Sequence, residues 1–88
     1  MCTNIVERAE VPSGSGRGRD GWFSLAQAYV SYDHPSHIDL EHAVNLDFVN
    51  EAAGIDARVA VELSIDSARN LAAAILAAVE RAEAYESA

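Results

Sequence analysis

The 88-residue chain contains no lysine, one cysteine, two prolines and six aromatic residues, and each scarcity narrows what it can be. Without lysine, its positive charge rests on six scattered arginines, Arg8, Arg17, Arg19, Arg58, Arg69 and Arg81, against a net charge of −8. Phosphate backbones are bound by dense basic patches, so no nucleic-acid partner is expected, and anionic membrane is disfavoured for the same reason. The single cysteine, Cys2, rules out an internal disulfide. No charged-then-apolar signal segment opens the chain, and the longest purely apolar run, Leu71 to Val79, is far too short to span a bilayer. These absences point to a reducing, cytoplasmic address. The arginine-over-lysine, alanine-rich usage is typical of high-GC bacteria.

The chain does have ordinary hydrophobic content, 50%, most of it alanine, valine, leucine and isoleucine. A chain this short forms a single domain, taken as residues 1–88, with a thin core that buries roughly 60–65% of its unfolded surface. Period-2 alternation and turn signals predict four strands, at about 3–11, 22–32, 40–49 and 57–63. The third shows the pattern best, with Leu40, His42, Val44, Leu46 and Phe48 on one face against Glu41, Ala43, Asn45 and Asp47. The second is apolar on both faces. Ser64 is a good helix N-cap, and Asp66 sits where the helix dipole favours a negative charge. From there Ala68, Leu71, Ala72, Ile75, Val79 and Ala82 recur at helical spacing, predicting a helix over about 65–84. The expected fold is α+β, a four-stranded antiparallel β-meander packed against one C-terminal amphipathic α-helix, in the order β-β-β-β-α.

The sharpest chemical signal is the set Cys2, His34, His37 and His42. If the first two strands form a hairpin with Val11 opposite Gly21, Cys2 falls opposite Val30, near the turn that carries His34 and His37. Pro35 bends that turn, and His42 opens the third strand at the same end. Thiolate and imidazole together suit zinc, with copper, nickel or iron as alternatives. Asp33 or Asp39 would then orient the imidazoles. The reading that follows is a small metal-binding protein, with a metalloenzyme as its catalytic form. Each residue also has a plainer role: His42 as a hydrogen-bonded core side chain, His34 and His37 as solvated turn residues, Cys2 as a small hydrophobe. A second chemistry for the same residues is a thiolate nucleophile activated by a neighbouring histidine, although no glycine elbow surrounds Cys2.

Gly14, Gly16, Gly18 and Gly21, with Arg17 and Arg19 among them, read as a mobile hairpin loop, because strand follows strand and no helix opens there to cradle an anion. Trp22, Phe23, Tyr29 and Tyr32 read as core or interface. One helix can cover only one sheet face, which leaves apolar surface for a partner. The competing functional reading is therefore a metal-free interaction or accessory module working as a homodimer, with no small-molecule ligand specified.

The opening Met1-Cys2-Thr3, together with Gly21-Trp22-Phe23, Tyr32-Asp33-His34-Pro35-Ser36-His37, Glu41-His42, Asn45-Leu46-Asp47-Phe48 and Arg58-Val59-Ala60-Val61-Glu62-Leu63, resembles a family of short, uncharacterised actinobacterial proteins. The resemblance implies a complete protein and carries over no activity.

Overall fold

The computed structural model describes residues 3–88. Six strands, β1 (Ile5–Glu10), β2 (Ser15–Gly18), β3 (Gly21–Ser24), β4 (Gln27–Asp33), β5 (Ala43–Val49) and β6 (Arg58–Leu63), precede one helix, α1 (Ile65–Ser87). A three-residue 3-10 turn, Glu51–Ala53, interrupts the link between β5 and β6. The fold is α+β, as the change of period from two to 3.6 residues at Ser64 predicts. Four strands form one antiparallel sheet in the order β1-β4-β5-β6, and β2 and β3 form a separate two-stranded sheet.

That second sheet corrects the expected four-strand pattern. The segment 22–32, which reads as one strand, is two, and the change of partner falls between adjacent residues. Leu25 N–H donates to the Gly14 carbonyl in the small hairpin, whereas Ala26 N–H donates to the Val49 carbonyl of β5. The glycine stretch is likewise a strand and not a mobile loop. A Cβ at Gly16 would lie 3.3 Å from Val59 Cγ2, and one at Gly18 would lie 3.3 Å from the Arg58 carbonyl. The missing side chains let the hairpin press against β6 at backbone distance. The expected pairing of Val11 with Gly21 is replaced by Val11 N–H to the Ala26 carbonyl, with Ile5 opposite Tyr32. The third strand starts at Ala43, so His42 stands just outside it.

The registers divide the main sheet into two unlike faces. Val30 lies opposite Leu46, and Leu46 opposite Val61; Tyr32 lies opposite Val44, and Val44 opposite Leu63. Side-chain alternation therefore gathers these residues, with Ala28, Phe48 and Val59, on one apolar face. The other face carries Ser31, Asp33, Asn45, Asp47, Arg58 and Glu62. The hairpin meets the apolar face at Val59.

The helix departs furthest from expectation, because it does not lie across the sheet. Ser64 alone links β6 to α1, and its hydroxyl accepts from Ser67 N–H as the N-cap. A one-residue link leaves no chain in which to reverse direction, so the helix continues away from the sheet end. Every residue from Arg69 onward is exposed. The result is elongated, 49 × 31 × 20 Å, with a radius of gyration of 14.6 Å, against roughly 12 Å for a compact chain of this length. Among the described residues only Ala28, Ala43 and Ala57 are buried, and no large side chain is fully enclosed. No described helix is long and apolar enough to cross a membrane.

Candidate functional site

Two polar arrangements stand at the end of the sheet where β4 stops and β5 begins. The first is a stack of three rings. Tyr32 and His42 have centroids 5.5 Å apart with planes 29° from parallel, and His42 and His34 are 4.7 Å apart at 26°. His34 is further held by Nδ1 donating to the Glu41 carbonyl at 2.8 Å. Its backbone N–H donates to Asp33 Oδ1 at 2.8 Å, a local contact in the turn before Pro35.

The second arrangement is built on Glu62. Its carboxylate accepts from three consecutive backbone N–H groups, those of Ser36 at 2.5 Å on one oxygen and of His37 and Ile38 at 2.9 and 2.8 Å on the other. A strand side chain thereby fixes a loop about 25 residues away in sequence. The bonds from Ile38 and then Ser36 hold the Glu62 carboxyl below its ordinary value of 4.5; the His37 N–H and the charge of its ring add to this, and desolvation opposes it. Because the folded-state value is lowered, this anchoring is fully present above the ordinary carboxylate range and is lost as pH falls through the lowered value. The amide proton shifts of residues 36–38 should report it, titrating together with a midpoint below the ordinary glutamate value. In Glu62→Gln the same three amides are expected to lose that titration and exchange faster with solvent, whereas unchanged shifts in the variant would remove the anchoring role.

An open cleft on the polar face joins this loop to the sheet, lined by Ser31, Asp33, His37, Asn45, Arg58 and Glu62 among others. At its far side Arg58 pairs with Asp47, Nε to Oδ1 at 2.7 Å and a second guanidinium nitrogen at 2.5 Å.

The structure brings together His34 and His42 but not as ligands. Their rings meet face to face, and a metal needs ring nitrogens directed in plane at one point about 2.0–2.1 Å away. The His37 loop is tied to Glu62, whose register partner Asn45 is on the polar face, while His42 stacks on Tyr32 of the apolar face. Cys2 lies outside the described residues. Among the described residues no group of three or more His, Cys, Asp or Glu side chains could hold a metal ion, and this overturns the metal-binding reading. Sequence reasoning missed Glu62, which appears there only as part of the strand expected at about 57–63.

No curated protein and no solved structure matches the chain. A family of unknown function, DUF6295, matches residues 1–88, and the chain belongs to that family.

Proposed function

We propose that this chain is a self-associating interaction module whose functional unit is a homodimer held through α1. The observation that carries the proposal is the condition of the helix. Residues 71–79 of α1, Leu-Ala-Ala-Ala-Ile-Leu-Ala-Ala-Val, are apolar on every side for more than two turns, yet all nine are exposed. A helix that is hydrophobic all round belongs in a protein interior. Ile75 is 54% exposed and Leu76 65%.

Surface area supports the same reading. The chain exposes 6739 Å², whereas a compact monomer of 9.4 kDa exposes about 5,000 Å². The excess, roughly 1,700 Å² per chain, is the area each subunit contributes to an obligate dimer of the large, hydrophobic class. Charge argues against nucleic acid as the partner, since Arg8, Arg19, Arg58 and Arg69 already face carboxylates.

Light scattering on the untagged chain tests this directly. The expected mass is twice the 9.4 kDa of one chain, and it should persist on dilution into the low micromolar range. A mass of one chain at every concentration would overturn the proposal.

A further inference from the structure

We infer that the dimer is a reciprocal exchange in which α1 of each copy lies on the apolar sheet face of the other. The inference rests on the homodimer reading and adds to it what the helix covers. Three observations carry it.

The first is that the apolar face lacks a cover of the kind it requires. Val30, Val44, Leu46, Val61 and Leu63 remain only half-buried on two central strands and their neighbour. A sheet with one apolar face is stable when a second layer, a helix or another sheet, packs on it. The β2–β3 hairpin meets this face at Val59, and of α1 only Ala68 in the opening turns is half-buried.

The second observation is that the chain's own helix is held away from that face. Ser64 is the whole connection, extended at φ −67° and ψ 163°, and its N-cap bond to Ser67 fixes the direction in which α1 starts. Helices that fold back over the strand before them usually need a longer link, of two to six residues. Twenty-three helical residues extend about 34 Å, against about 20 Å for the six residues of β6. The arm therefore reaches well past the sheet that it leaves.

The third is stoichiometry. Each copy presents one uncovered sheet face and one unpartnered apolar helix, so a two-fold exchange satisfies both in both copies and leaves no open end for further growth. A second copy is thus the occupant for which the chain itself supplies matching surface in equal amount. The all-round apolar segment of α1 fits as well: one side meets the partner's sheet, and the opposite side meets the partner's helix near the two-fold axis. A short hinge between elements is the usual site of such exchanges.

The test needs no substitution and so does not depend on a variant folding. Isotope-labelled and unlabelled protein are unfolded together, refolded and examined by filtered NOE spectroscopy, which records only contacts between labelled and unlabelled copies. Expected are intermolecular contacts from the methyl groups of Leu71, Ile75 and Val79 to those of Val44, Leu46 and Val61. Intermolecular contacts confined to helix against helix would overturn the exchange while leaving the homodimer in place. A monomeric sample with no intermolecular contact would overturn both.

Discussion

Ile75→Asp is expected to convert the proposed dimer to a monomer across the concentration range in which the wild-type chain is paired. Ile75 is at the middle of the apolar segment 71–79, and on the homodimer reading it is enclosed when two chains meet. Two effects of the substitution compete in magnitude. An aspartate in an exposed helix interior costs only about 0.5–0.7 kcal/mol in propensity, which would leave a strong dimer intact. Placing an unpaired carboxylate in an apolar contact costs about 3–5 kcal/mol, and the two-fold axis applies that cost twice. At about 1.4 kcal/mol per tenfold, even a single such cost weakens association by two orders of magnitude or more. Ile75→Leu keeps volume and polarity, costs less than about 1.5 kcal/mol, and should remain dimeric. Analytical ultracentrifugation of the two variants separates the cases. An Ile75→Asp protein as strongly paired as wild type would show that α1 is a solvated arm.

The outcome for α1 shows where sequence ends and structure begins. Its apolar stripe and its N-cap are legible in the residues, since both are local: a hydroxyl three positions from an N–H, and side chains at 3.6-residue spacing. What the stripe packs against is not local. A sheet-then-helix pattern suggests a helix lying on its own sheet; the predicted bounds already leave Ser64 alone as the link, but the direction in which the helix departs is set by the backbone there, at φ −67° and ψ 163°. The strand pattern behaves in the same way. Alternation locates β5 and β6 to within a few residues, yet Trp22 to Tyr32 gives no local sign that hydrogen bonding changes sheets between Leu25 and Ala26.

The candidate site was less legible than the fold, for a related reason. Spacing brings His34, His37 and His42 close in the chain, and two of them do meet, stacked with Tyr32. Spacing does not tell which face of the sheet a turn folds onto. That depends on Glu62, a strand residue in a later part of the chain that gathers the amides of Ser36, His37 and Ile38 onto the polar face. A strand glutamate reads as a solvated residue until its long-range partners are known.

Stability should respond most sharply at an alanine. Ala43, at the start of β5 opposite Asp33, has 0% exposure, the one described residue wholly removed from solvent among the three that are buried. Ala60 in β6 pairs with Asp47, which shares the face of Ala43 by alternation, yet Ala60 is exposed. Leucine adds the same three carbons at either position, so the pair isolates the effect of space. At Ala43 the added atoms have no free volume, and overpacking of this kind costs about 1–3 kcal/mol through displaced neighbours. At Ala60 they enter solvent, where substitutions change stability by about 0.5 kcal/mol or less. For a domain of this size about 1 kcal/mol corresponds to roughly 4–8 °C in melting temperature. Ala43→Leu should therefore melt about 4–24 °C below wild type, and Ala60→Leu within a few degrees of it. Both melts are to be recorded by circular dichroism at one fixed protein concentration, because the midpoint of a dimer moves with concentration. Equal midpoints for the two variants would mean that the surroundings of Ala43 yield to make room, and that this end of the sheet is not a packed core.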